Sequence, residues 1–173
     1  VPVLIALRAA RWYILARTRL PEMTFSAAFH SYMAGLTLAV ITPFSAGELA
    51  RGALAAPTDK AGFTGLAFLD KLLDFTSLMI LACAGFVVVS DGWTKLVGIA
   101  GVLAVVCGWL MAARIVRFAQ KRLGESRLSA AMARAADAAG SVGRKTLSAC
   151  FIIALTNFVL IYAHLYIIML SLI

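Results

Sequence analysis

Residues 41–52 read ITPFSAGELARG, and they separate two apolar stretches of a very hydrophobic chain. A proline, a glycine and two opposite charges at such a place favour a turn followed by a new helix. The helix before the turn covers residues 24–42, and Thr24 or Ser26 can cap its start. The helix after the turn covers residues 48–56. This stretch therefore predicts a helical hairpin.

The composition of the chain indicates a membrane protein. Its 173 residues are 62 % hydrophobic and 14 % charged, whereas soluble domains are about half apolar and about a quarter charged. A helix needs about 20 apolar residues to cross the hydrocarbon layer of a bilayer, and several stretches are long enough. We therefore predict an all-α polytopic membrane protein, a helical bundle without a soluble domain.

The predicted segments make up one transmembrane domain, residues 1–173. Because both ends lie within apolar runs, we expect it to be part of a larger domain. The segments are a basic interfacial stretch (1–20, in which Trp12 and Tyr13 suit a membrane interface), a re-entrant hairpin (24–56), three spanning helices (61–90, 96–113 and 147–173) and a basic connector (114–146). Within the connector, residues 126–139 fit either a helix on the inner leaflet or a solvated helical loop.

The distribution of charge predicts the orientation. The net charge is +8, and residues 1–19 carry four arginines without an acidic residue. Residues 114–146 carry eight basic residues against two acidic ones. Basic segments stay on the cytoplasmic side, so we expect both inside, at the inner (plasma) membrane. Anionic lipid headgroups account for this charge better than nucleic acid does, and we predict no nucleic-acid partner.

This orientation makes the hairpin re-entrant. Its first arm must leave the cytoplasmic side and its second arm must return there. The second arm has nine residues, which is about 14 Å of helix and half a bilayer. A turn at that depth must be buried in protein or line a wet cavity, because its backbone groups would be unsatisfied in lipid.

The turn also contains a candidate anion site. Ser45 followed by Glu48 is a capping-box pattern, which would start the second arm at Ser45. A helix N-terminus carries about half a positive charge, and Arg51 lies one turn further on. In the alternative interpretation Glu48 only caps the helix and Arg51 only reaches towards the interface. The candidate substrate-binding residues are Ser45, Gly47, Glu48 and Arg51.

A second charged cluster lies in the heptapeptide LDKLLDF, which contains Asp70, Lys71 and Asp74. In the predicted helix the two aspartates lie about 13 and 20 Å deep. An unpaired charge there costs roughly 2.5–3.5 kcal/mol, so the cluster must face the interior and find partners. Arg51 is the expected partner of an aspartate, and Glu48 that of Lys71, which can also pair with Asp74. The network is either purely structural or lines a substrate path.

The other polar residues predict no chemistry. The three cysteines each lie alone in an apolar run, which is typical of small packing residues. The sequence has no metal-ligand set, nucleotide-binding loop or nucleophile–base pair. We therefore expect no enzyme activity, no catalytic residue, no metal and no cofactor.

These motifs resemble those of the lysylphosphatidylglycerol synthase transmembrane region, a family of flippase-like bacterial and archaeal membrane proteins. The family includes the flippase half of multiple peptide resistance factors and relatives linked to hopanoid or glycolipid transport. The resemblance covers about residues 9–90, from the AARW stretch through Tyr32-x-x-Gly35 to LDKLLDF. The residues that match the family pattern are Pro43, Gly47, Glu48, Arg51 and Asp74.

Three positions depart from that pattern. Lys71 stands where arginine is usual, and Phe44 and Ser45 stand where the family often has a basic residue. A contact from such a basic side chain is therefore not expected in this chain.

The resemblance implies transbilayer movement, or flipping, of a polar, anionic or isoprenoid-type lipid. The alternative is a non-transporting membrane subunit that scaffolds a lipid- or glycan-modifying enzyme. The expected partners are membrane lipids with anionic headgroups at the inner leaflet, a second copy of the chain, or a lipid-modifying enzyme. A cavity that reaches Glu48 and Arg51 would favour transport, whereas a dry, closed network would favour scaffolding.

Overall fold

The structure is a computed structural model that describes residues 2–43, 47–56, 58–89, 91–123 and 127–172. These residues form seven α-helices and no strand, which confirms the predicted all-α class. The helices are α1 (Pro2–Arg17), α2 (Phe25–Ile41), α3 (Gly47–Ala55), α4 (Lys60–Val89), α5 (Trp93–Leu123), α6 (Arg127–Gly140) and α7 (Arg144–Ser171).

Helices α2 and α3 pack against each other as an antiparallel hairpin. The Thr24 hydroxyl accepts the Ala27 N–H at 3.2 Å and so caps the start of α2. At the other end, the Gly47 N–H donates to the Thr42 hydroxyl at 2.8 Å, which joins the end of α2 to the start of α3. Ser45, the predicted cap of the second arm, lies outside the described residues. The re-entrant placement of the hairpin in a bilayer stays a prediction.

Helix α4 is the centre of the fold, because it packs against α1, α3, α5, α6 and α7. The Asp59 carboxylate accepts the Gly62 N–H at 3.1 Å and caps its first turn. Close approach to α3 depends on Gly52, where a Cβ would lie 2.4 Å from the Phe63 carbonyl oxygen. Close approach to α6 depends on Gly65 in the same way, at 2.4 Å from the Ala135 carbonyl oxygen.

The predicted connector helix, residues 126–139, is present as α6. It packs on α4, and the side chain of Ala138 is fully buried. Its placement on the inner leaflet or in solvent stays a prediction. Helix α5 extends to Leu123, ten residues beyond the predicted span 96–113. Its described apolar stretch is Lys95–Trp109, so this span stays a prediction.

Trp12 does not lie at a surface, as the sequence predicts, but in the core of the protein. Its side chain is fully buried against Phe63 of α4, with ring centroids 6.5 Å apart and an edge-to-face angle of 76°. A membrane interface was expected for this residue because an indole ring is amphipathic. Here the indole N–H donates to the Ser31 hydroxyl at 3.0 Å. The protein itself satisfies the polar atom, and the ring can therefore lie in the core.

Helices α4 and α7 have lipid-compatible surfaces. Both are long and apolar enough to cross a membrane, with mean hydropathies of 2.2 and 2.1 in their most apolar windows. Only 17 % and 11 % of those windows is buried, whereas a core helix of a soluble protein would be mostly buried. Large apolar side chains such as Val88, Ile167 and Met169 are exposed. Hydrocarbon contact explains such a surface better than water does.

The close contact between α3 and α4 predicts unequal effects of two glycine substitutions. In Gly52→Ala the new methyl group meets backbone that cannot move freely, so we expect a loss of about 1–3 kcal/mol in the free energy of unfolding. Gly85→Ala is the matched control in α4, since nothing lies within 4 Å of a Cβ there. The control should be neutral or gain up to about 1 kcal/mol from helix propensity. Unfolding in mixed detergent micelles measures both, and equal effects would contradict the proposed contact.

Candidate functional site: a buried ion-pair network

Asp70 is the centre of a buried ion-pair network. One carboxylate oxygen, Oδ1, lies 2.5 Å from Nε of Arg11 on α1. The other, Oδ2, accepts a hydrogen bond from Nη2 of Arg51 on α3. All three side chains are 2 % exposed or less. One carboxylate of α4 therefore connects two other helices.

Arg11 extends the network to a second aspartate. Its Nη1 donates to Oδ1 of Asp74 at 2.6 Å. Asp74 lies four residues after Asp70 and so shares its face of α4. Arg11 consequently bridges two carboxylates one helical turn apart.

Arg11 is a member of this network that the sequence does not predict. From the sequence it belongs to the interfacial arginines of 1–20, because basic residues flank membrane segments. Counting the charges of the predicted cluster indicates that one cation is missing. The predicted cluster held three carboxylates against the two cations Arg51 and Lys71, and buried carboxylates require compensation. Arg11 supplies the third positive charge.

Lys71 and Glu48 form a second link between α3 and α4. Lys71 Nζ lies 2.5 Å from Glu48 Oε2, which is the pairing expected from the sequence. These side chains are 36 % and 14 % exposed, respectively, so the pair lies at the rim of the network. Lys71 therefore does not pair with Asp74, which was the other predicted arrangement.

Arg51 is enclosed by aromatic rings as well as by Asp70. Its guanidinium carbon lies 4.8 Å from the centroid of the Trp12 ring and 5.4 Å from that of Tyr32. Such contacts with aromatic faces stabilise a desolvated cation. Gly35 makes room for it, since a Cβ there would lie 2.7 Å from the Arg51 Cβ. Arg51 thus does not reach towards an interface, in contrast to the alternative interpretation of its sequence position.

Among the predicted substrate-binding residues, Gly47, Glu48 and Arg51 lie on α3, and none of the three lines either of the two grooves described below. Gly47 is buried against Leu38 of α2, and Glu48 and Arg51 are engaged with α4. Ser45 lies outside the described residues. Their role in binding a substrate stays a prediction.

Two surface grooves lie among the described residues. One has a volume of about 310 Å³ between α4, α5 and α7, and its walls include Leu73, Thr76, Trp109, Leu147 and Phe151. The Trp109 indole N–H donates to the Thr76 hydroxyl at 2.7 Å in this groove. The other has about 340 Å³ between α1 and α7, beside Tyr13, Arg17 and Thr146. Neither of the two is lined by Glu48 or Arg51.

The lipid-compatible surface and the charged interior together define a membrane domain with a polar core. Residues 1–172 match the family described as the lysylphosphatidylglycerol synthase TM region. The chain belongs to this family, as its motifs predicted, and it is therefore a membrane domain of a lipid-related family. A search of curated proteins and a search of solved structures found no significant match.

The geometry predicts a large difference between two conservative substitutions. Asp70→Asn removes the charge that compensates two buried arginines, and breaking such a pair costs about 3–5 kcal/mol. Glu48→Gln affects only the partly exposed rim pair and should cost about 1 kcal/mol or less. The free energy of unfolding in mixed micelles measures both. If Asp70→Asn lowers the free energy of unfolding no more than Glu48→Gln does, the ion pairs of Asp70 with Arg11 and Arg51 are absent from the protein.

Proposed function

We propose that the chain moves a polar, anionic or isoprenoid-type lipid between the leaflets of a membrane. The observation that carries this proposal is the network of opposite charges held inside a domain of a lipid-related membrane family. Charges are costly in such domains and usually mark the path of a substrate or an ion. The proposed role is transport, without catalysis of a reaction.

Exchange of ionic partners provides the mechanism. A guanidinium group binds phosphate and carboxylate with the same bidentate geometry, so a headgroup phosphate competes with Asp70 for Arg51. Asp70 then stays paired with Arg11, and the ion pair between Arg51 and Asp70, which joins α3 to α4, is broken. The rim pair of Glu48 and Lys71 is the most exposed part of the network and opens first. When the phosphate leaves, Asp70 binds Arg51 again.

The apolar groove between α4, α5 and α7 suits a lipid tail. It is lined by Leu73, which precedes Asp74 directly, and by the apolar side chains of Leu147 and Phe151. A tail in this groove would stay in apolar surroundings while the headgroup meets the charges on the neighbouring faces of α4. The polar headgroup would then contact charged side chains, and the apolar tail would contact apolar side chains only.

The proposal includes the placement of the domain in the membrane. The α2–α3 hairpin is re-entrant from the cytoplasmic side of the inner membrane, and the basic connector containing α6 is cytoplasmic. Anionic headgroups of the inner leaflet attract this basic side of the protein.

A second candidate function is a non-transporting subunit that scaffolds a lipid- or glycan-modifying enzyme. The observation that favours it is the closed state of the network, in which Arg51 and Asp70 are buried and neither groove reaches Arg51. In this role the charges only lock the helices together. The partner would be a modifying enzyme or a second copy of the chain.

A leaflet-exchange assay with fluorescent lipids in reconstituted vesicles separates the two candidates. Arg51→Ala and Asp74→Asn should reduce exchange to the rate of protein-free vesicles. Both variants should remain folded, because Asp70 and Arg11 keep each other as partners. Lys95→Ala, which breaks only an exposed ion pair with Asp91, is the control and should exchange lipid at the native rate.

The transport proposal is wrong if the native protein exchanges no lipid of the anionic, zwitterionic or isoprenoid class. It is also wrong if native exchange persists in folded Arg51→Ala and Asp74→Asn. In either case the scaffold function is favoured.

A further inference from the structure

Asn157 on α7 and Ser77 on α4 are buried polar side chains that find no partner within the protein. Both are fully buried. Within the part of the chain that the structure describes, no protein group lies at hydrogen-bond distance from Nδ2 or Oδ1 of Asn157 or from the hydroxyl of Ser77. Buried polar atoms without a partner are costly and rare in proteins, so these atoms point to a ligand.

The two helices run in the same direction from a common end of the protein. The start of α4 lies at the end of α1, where Arg19 Nε is 3.0 Å from Asp59 Oδ2. The start of α7 lies at the same end of α1, because Thr146 lines one groove together with Arg17 and Pro21. Helices α1, α4 and α7 pack against one another, so α4 and α7 are parallel neighbours.

Ser77 and Asn157 lie at about the same level of this helix pair. Leu73 of α4 and Phe151 of α7 line the groove between α4, α5 and α7. Ser77 lies four residues beyond Leu73 on the same face, and Asn157 lies six residues beyond Phe151. At 1.5 Å per residue, these positions are about 6 and 9 Å further along the two helices. The two polar side chains are therefore within one helical turn of each other along the helix axis.

Both side chains belong to faces that point into the bundle. The described buried residues of α7 are Cys150, Ala154 and Asn157, and their spacing of four and three puts them on one face. On α4, Ser77 lies three residues after Asp74, on the side of the helix that carries the ion-pair network. The polar interior thus continues about one turn beyond Asp74.

We propose that Ser77 and Asn157 bind water between α4 and α7. An asparagine amide offers two N–H donors and one carbonyl acceptor, and a serine hydroxyl both donates and accepts. The ligand must therefore donate as well as accept hydrogen bonds, which a simple anion or a metal cation does not. Water is neutral, does both, and typically makes about three hydrogen bonds to buried polar groups that lack a protein partner.

This water site adds a second polar level to the interior of the domain. In the proposed transport cycle, a headgroup that leaves Arg51 would next meet neutral hydrogen-bonding groups instead of hydrocarbon. Such groups carry no charge, so they hold the headgroup less strongly than the arginines do. This role rests on the proposed function, whereas the water site itself rests on the burial of Ser77 and Asn157.

Nuclear magnetic resonance of the purified full chain tests the site directly, because Asn157 is the only asparagine in the sequence. Protein labelled with ¹⁵N in its asparagine side chain gives a single pair of amide signals. In micelles of dodecylphosphocholine, whose headgroup has no hydroxyl, we expect rotating-frame cross-relaxation between these amide protons and water. Its sign distinguishes a bound water from proton exchange with the solvent. Cross-relaxation with acyl chains only, or no water contact at all, would overturn the proposal.

Two substitutions locate the water within the fold. Ser77→Ala removes one partner of the water but leaves the Asn157 amide in need of another, so the water contact should persist and the amide signals should shift. Thr156→Val is the matched control, because Thr156 precedes Asn157 on α7 and is exposed, and it should leave the contact unchanged. Loss of the contact in either variant, or unshifted signals in Ser77→Ala, would contradict the site.

Melting temperatures in the same micelles give an independent readout. Ser77→Ala should lower the melting temperature of the native chain by a few degrees, because the water loses a partner. In Asn157→Leu the water is expelled and the Ser77 hydroxyl is left unpaired. Adding Ser77→Ala to Asn157→Leu should therefore leave the melting temperature unchanged or raise it. An equal loss in both backgrounds would mean that the two side chains share no ligand, and the proposal would be wrong.

The water contact and the lipid exchange can fail separately. Native lipid exchange by a protein whose Asn157 amide contacts no water would overturn the water site and leave transport intact. A water contact at Asn157 without exchange of any lipid class would support the site and overturn transport.

Discussion

The structure depends on one carboxylate that is shared by two arginines from different helices. Asp70 lies on α4, and its two oxygens face Arg11 of α1 and Arg51 of α3. Each charge is buried only because the others are there, since an isolated charge in such surroundings would cost several kcal/mol. A buried ion pair adds little to stability in comparison with apolar packing. The ion pairs of Asp70 instead fix the positions of α1, α3 and α4 relative to one another.

Sequence reasoning predicted the hairpin, the long apolar helices and the connector helix, because local signals mark them. Pro43 and the turn that follows it predict the end of α2. The depth of Asp70 and Asp74 in the predicted span requires partners from another helix. Arg51 and Glu48 could be assigned to that role because they lie on the neighbouring short arm. Arg11 and Trp12 were misplaced, since basic and aromatic residues beside a membrane segment are typical of an interface. Only the packing of α1 against α2 and α4 places them in the interior.

The network is held by ion pairs between side chains of α1, α3 and α4. It lies closed in this conformation, with aromatic rings around Arg51 and a partly exposed rim at Lys71 and Glu48. Transport and scaffolding make opposite use of the same geometry. A transporter must open the pairs in each cycle, whereas a scaffold keeps them closed.

The most direct test of this account is a double-mutant cycle on Arg51 and Asp70, since the described ion pairs of Arg51 involve no other residue. The free energy of unfolding is measured in mixed micelles for the native chain, Arg51→Gln, Asp70→Asn and the double variant. The account predicts that the double variant is more stable than the sum of the single effects by about 1–3 kcal/mol, as expected for residues in direct contact. Additive effects would show that the two side chains do not interact and would contradict the account.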